Sequence, residues 1–223
     1  MRRREFLATL GLLPLIPYAC ERRRPALALA TADTEAHVAV LDAATGRVRA
    51  RVATVEEPRS IEAAGGLRAV VAHTSSGAVS LVEGPPVRVR RVLRGMSEPR
   101  YTAVGPDTRY AYVTDSGTGE LVVIDLERGR VVGGAQVGAL ARHLAIAPDG
   151  RTLWLVLGSK ARAVAVVDLS EPRRPRPRGL LHPPFLAHDV ACSPGGRPRR
   201  GRDRKSTRLN SSHWITSRMP SSA

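Results

Sequence analysis

The chain has 223 residues, 43% of them hydrophobic, and a formal charge of +15. That length and apolar fraction support one sizeable packed domain and exclude wholesale disorder. The charge gathers at the two ends and in an Arg- and Pro-rich stretch at 171–202, whereas residues 31–170 hold 17 basic and 15 acidic side chains. The body therefore lacks the basic surface interleaved with aromatics that nucleic-acid binding needs, and no nucleic-acid partner is expected. Val, Ala and Leu dominate the apolar fraction, and Gly and Pro recur between short Val-rich runs, a pattern of many short strands. Two cysteines, Cys20 and Cys192, do not make a disulfide framework.

The N-terminus reads as an export signal over residues 1–30. Arg2-Arg3-Arg4 precede an apolar run from Phe6 to Tyr18. At 13 residues it is shorter than the roughly 20 that span a bilayer. Arg3-Arg4-Glu5-Phe6-Leu7 resembles the twin-arginine core, which implies folding before export to the periplasm or beyond. Ala26-Leu27-Ala28-Leu29-Ala30 offers overlapping cleavage sites after Ala28 and Ala30; a lipid anchor at Cys20 is the alternative. No transmembrane helix is expected in the mature chain.

The middle, 31–202, repeats. Val38–Asp42, Val79–Glu83, Leu121–Asp125 and Val164–Asp168 superimpose, with their terminal acids 41, 42 and 43 positions apart. A second column, Gly105-Pro106-Asp107, Ala147-Pro148-Asp149 and Ser193-Pro194-Gly195, keeps the same register. Four short strands in a period of about 42 residues is the signature of a propeller blade. The clearest unit predicts strands at Tyr101–Val104, Tyr110–Thr114, Leu121–Asp125 and Arg130–Val137. On these residues the chain resembles the YVTN repeat family: Tyr112-Val113-Thr114-Asp115 differs from its name motif only in the last residue, and Ala147-Pro148-Asp149-Gly150 fits its turn. The resemblance implies an all-β propeller of four-stranded antiparallel blades, with about four blades present where closed rings have roughly four to eight and six or seven are expected.

Residues 203–223 match the translation of a common short-read sequencing adapter. They are expected to be a non-native, disordered tail on a parent protein that continues with further blades.

No catalytic constellation, metal-ligand spacing or cofactor motif stands out. The acids Asp42, Asp125 and Asp168 read as hairpin residues accepting backbone hydrogen bonds. Glu83-Gly84-Pro85-Pro86 and Gly133-Gly134 read as turns, and His37, His73 and His182 as isolated. Counting six residues back from each turn proline gives Arg100, Arg142 and His188, and the parallel Glu57-Pro58-Arg59 adds Arg59. These four residues, at the starts of inner strands, predict a partly basic ring at one channel mouth, suited to an anionic small molecule or a protein partner. The functional expectation is an exported binding or interaction scaffold. The alternative is a periplasmic haem- or quinone-linked oxidoreductase, or a hydrolase.

Overall fold

A computed structural model describes residues 26–193 of the chain. The twin-arginine segment, Cys20 and the adapter-like tail lie outside the described residues. Four antiparallel sheets follow one another along the sequence. The first holds β1 (Leu27–Ala32), β2 (His37–Asp42) and β3 (Val48–Ala53). The second holds β4 (Pro58–Ala63), β5 (Arg68–His73), β6 (Ala78–Glu83) and β7 (Arg88–Arg94). The third holds β8 (Pro99–Val104), β9 (Tyr110–Asp115), β10 (Glu120–Asp125) and β11 (Arg130–Gln136). The fourth holds β12 (Ala141–Ile146), β13 (Thr152–Leu157), β14 (Val164–Asp168) and β15 (Arg176–Leu181). A short 3-10 turn at Asp33–Glu35 is the only helical element among the described residues.

Side chains of one strand alternate between two faces, and here each face meets a different neighbouring sheet. In β9, Ala111 and Val113 pack on Val70, Ala72, Val79 and Leu81 of the second sheet. Tyr110 and Tyr112 pack on Leu153, Leu155, Ala165 and Val167 of the fourth. In β5, Ala69 and Val71 turn back to Val38 of the first sheet. Strands covered on both sides read as continuous apolar runs, which is why β6, β9 and β10 show little alternation in sequence. Burying each Val or Leu in these interfaces is worth about 1.5–3 kcal/mol.

The acid column performs the hairpin role expected of it. Asp42 accepts from the amides of Ala44 and Thr45, and Asp125 from those of Glu127 and Arg128. Asp168 accepts from Ser170 N–H. The Arg49 guanidinium on Asp42, helped by the Thr45 amide, pulls its carboxyl down to about 2.

One expectation changes. The strand expected at Arg130–Val137 forms as β11 and contains Gly133-Gly134, so the pair does not make the turn also read there. A Cβ on Gly133 would collide with the Arg173 carbonyl oxygen, so the glycine lets the Glu171–Arg174 loop of the fourth sheet close onto the third. In addition, β1 begins at Leu27, inside the segment expected to be cleaved, and pairs with β2 along its whole length.

The last residue of each second strand holds the loop that leads into the inner strand. His73 is fully buried; its Nδ1 lies 3.1 Å from the Glu56 carbonyl and its Nε2 2.8 Å from Ser80 Oγ. The carbonyl can only accept, so Nδ1 carries the proton and Nε2 accepts from the serine hydroxyl. In the next sheet Asp115 stands in the same place and accepts from the amides of Ser97 and Glu98 at 2.7 and 2.8 Å. In the fourth, the Leu157 side chain lies against Gly138, where any Cβ would strike it.

Replacing His73 by Ala leaves Ser80 and the Glu56 carbonyl unsatisfied beside a cavity, and should cost about 2–4 kcal/mol in a urea melt. Burial lowers the His73 pKa, while in the unfolded chain it titrates near about 6.5. Protons thus bind the unfolded chain first, so the stability from neutral His73 is complete above that pH and is lost as pH falls below it. Between pH 7.5 and 5, the native chain should lose more stability than a His73→Gln variant.

Candidate functional site

The inner strands β4, β8 and β12 lie side by side, and each begins with a break in its pairing. Pro58 faces His73 and Ser60 faces Ala72, leaving Arg59 as an extra residue. Pro99 faces Asp115 and Tyr101 faces Thr114, leaving Arg100 in the same position. In β12 the pair Arg142 and His143 stands opposite the one residue between Leu155 and Leu157. A bulge leaves its extra residue out of the ladder and re-aims the side chain. The arginine column read from the sequence is therefore a column of repeated bulges.

Around β8, β12 and the segment after β15, the side chains meet. Tyr101 stacks on His143 with ring centroids 3.7 Å apart, and His143 lies 5.0 Å from His188. The His188 ring is fixed by its Nδ1, 2.6 Å from the Ser159 carbonyl. Arg100 is half-buried and reaches Glu98 at 3.4 Å, while its Nε is buried with no hydrogen-bond partner. Nε of Arg142 and Nδ1 of His143 are likewise buried and without partners. Three polar atoms out of water with nothing to bond, on adjoining strand starts, are costly unless something else satisfies them.

Arg59 stands apart. It is exposed and has no partner among the described residues, and Glu57 beside it is engaged by Ser75 instead. The link from its strand to β8 runs through Ser60 Oγ and Thr102 Oγ1, 3.4 Å apart. Of the four residues singled out from the sequence, Arg142 and His188 flank His143 and Arg100 adjoins its stacking partner Tyr101. Tyr101 and His143 escaped sequence reasoning although each directly follows a column arginine; the count from the turn proline marks the bulge and not its neighbour.

Electrostatics at the cluster are mixed. Burial lowers the His143 pKa most; the Asp189 charge and a hydrogen bond with the His188 backbone oppose this, and the charges of the His188 ring and Arg142 add to it. Among the described residues no three His, Cys, Asp or Glu side chains group as a metal site.

Solved structures with the same arrangement of sheets settle the architecture. This chain superimposes on hydrazine synthase of Kuenenia stuttgartiensis with a TM-score of 0.62 at 23% identity, over 72% of this chain and 46% of that one. The chain is an arc of a β-propeller. A putative 6-phosphogluconolactonase from Bacteroides uniformis matches at 0.59 and 17% identity, over 70% and 53% of the two chains. The C-terminal WD40 domain of Sif2 matches at 0.59 and 12%, over 73% and 48%. At such identities the likeness carries the fold alone, and the arc spans about half the length of these propellers. No known family model matches the chain, and no curated protein matches it either.

The cluster makes a directional forecast for NMR titration. His143 should titrate below the ordinary histidine value. Arg142→Gln should move that pKa up, and Asp189→Asn should move it further down.

Proposed function

We propose that this arc belongs to an exported propeller of the YVTN kind that acts as a binding scaffold, taking a carboxylate- or phosphate-bearing small molecule at the mouth formed by the starts of β8 and β12. The observation that carries the reading is the pair of buried, unpartnered Nε atoms of Arg100 and Arg142 at successive bulges, beside the His143–His188 pair. A guanidinium offers two parallel donors to an anion, and in a partly dry site such charge-assisted bonds are strong. The YVTN assignment is supported by Asp115, the last residue of Tyr112-Val113-Thr114-Asp115. An acceptor is required there to hold the lead-in loop: Asp115 takes the Ser97 amide on one carboxylate oxygen and the Glu98 amide on the other, and the asparagine of the name motif would supply one such oxygen.

Titration calorimetry with citrate and with inorganic phosphate tests the ligand class. Binding by the native chain should weaken at least tenfold in the Arg100→Gln/Arg142→Gln double variant, given about 1.5–3 kcal/mol per hydrogen bond to a charged group. Arg59→Gln, at an exposed residue that makes no hydrogen bond or ion pair with the cluster among the described residues, should change it little. An equal loss in both variants would show diffuse charge attraction and defeat the site.

Export is supported by Arg3-Arg4-Glu5-Phe6-Leu7. Changing both Arg3 and Arg4 to Lys should abolish it, because the pair is read as guanidinium and not as charge alone. A cut after Ala28 or Ala30 would remove part of β1 and uncover Val38 and Val40, now 0% and 2% exposed. The mature chain is therefore expected to begin upstream of Leu27. N-terminal sequencing of the exported product decides this, and a product starting at Leu29 or Thr31 would contradict it.

A further inference from the structure

The three buried atoms without partners at the mouth differ in kind. Nε of Arg100 and Nε of Arg142 always carry a hydrogen and can only donate. Nδ1 of His143 can donate or accept, depending on where the ring keeps its hydrogen. The ring makes a hydrogen bond with the His188 backbone that favours its charged form, as donation to a carbonyl does. Nδ1 has no hydrogen-bond partner among the described residues. That bond therefore uses Nε2–H, and the neutral ring keeps a bare lone pair on Nδ1. The mouth thus offers two obligate donors and one acceptor, all out of water.

The surroundings keep the ring in that state. Tyr101 of β8 stacks on it at 3.7 Å between centroids, and His188 lies at 5.0 Å with its own Nδ1 donating to the Ser159 carbonyl. Charged groups reach it from each element packed there. The start of β8 brings Arg100, whose guanidinium is 3.4 Å from Glu98. Arg142 precedes it in β12, within the same bulge, and Asp189 follows His188. Burial, with the Arg142 charge, outweighs Asp189 and the backbone bond, so His143 is neutral at pH 7.5. Protonating it there costs free energy that an incoming ligand would have to supply.

On the basis of the anion-binding mouth proposed above, we infer that Nδ1 of His143 makes it selective for hydrogen phosphate, accepting the P–OH hydrogen while Nε–H of Arg100 and of Arg142 donate to the charged oxygens. Hydrogen phosphate and sulfate share a tetrahedral shape and a charge of minus two, so guanidinium donors alone barely distinguish them. They differ by one hydrogen. At pH 7.5 inorganic phosphate keeps at least one P–OH, and sulfate has none. Sulfate must therefore set an oxygen lone pair against that of Nδ1, or carry a proton to a ring whose surroundings disfavour it. A site arranged to bond a ligand's hydroxyl rejects the analogue that lacks it, because its own buried group is then left unpaired.

Titration calorimetry of the full chain with sodium phosphate and with sodium sulfate, at pH 7.5 and matched ionic strength, tests the selection. Phosphate should bind at least tenfold more tightly than sulfate. In His143→Gln the amide can turn either its oxygen or its NH2 to the ligand, so the ratio should fall toward one. Nitrogen NMR of the native chain reads the ring without any substitution: Nε2 should carry the hydrogen, and the Nδ1 resonance should move with phosphate and stay in place with sulfate. Equal affinities that both weaken in Arg100→Gln/Arg142→Gln would leave the mouth standing and overturn the selection. Binding of neither anion would overturn the mouth and the selection together. A hydrogen on Nδ1 in the free chain, or a preference that survives His143→Gln, overturns the role of His143.

Discussion

Each sheet of this chain has two apolar faces and can bury them only against the sheets before and after it. Everything else in the arc follows from that dependence. The alternation within β5 and β9 assigns odd and even residues to different neighbours, so no blade has a core of its own. Stability in such an array is shared between adjacent units. A substitution at Val113 or Leu155 is therefore felt in two sheets at once.

Packing of flat faces does not by itself set the angle between successive sheets or the place where inner strands begin. Those are fixed by two recurrent local devices. One is the bulge pair: inner strands break register at Arg59, Arg100 and Arg142–His143, and outermost pairings break it between Val40/Leu41, Leu81/Val82, Val123/Ile124 and Val166/Val167. Bulges bend a strand and increase its twist, which lets each sheet splay as it runs outward. The other is the clasp at the end of the second strand, which holds the lead-in loop so that the bulge always falls at the same height. The candidate mouth is a by-product of this framework: basic residues placed at a bulge emerge from the ladder together.

The blade period, strand limits and hairpin acids were legible in the sequence because they depend on neighbours along the chain. The strands read from Glu98 to Val137 differ from β8–β11 by one or two residues at their ends. The arginine column was legible for the same reason, since it keeps a fixed count to a turn proline. What the sequence hid depends on contact between blades. Gly133-Gly134 resembles a turn pair, and only the approach of Arg173 from the next sheet shows why the glycine lies within a strand. His73 looked isolated because Glu56 is 17 residues away and Ser80 lies on the next strand. Tyr101 meets His143 at a separation of one whole repeat, which no local pattern signals.

The clasp also limits how such a protein can diversify. His73 donates to a carbonyl, Asp115 receives amides, and Leu157 meets a glycine with no polar exchange at all. Each loop has become matched to one of these chemistries, although the three blades share a period and a backbone. Recombination between repeats would thus misfire: a segment carrying Asp115 into the place of His73 would set a carboxylate against the Glu56 carbonyl, acceptor against acceptor. A second strand moved from one blade to another would therefore have to bring its own lead-in loop with it, so strand and loop form a single exchangeable unit in each blade.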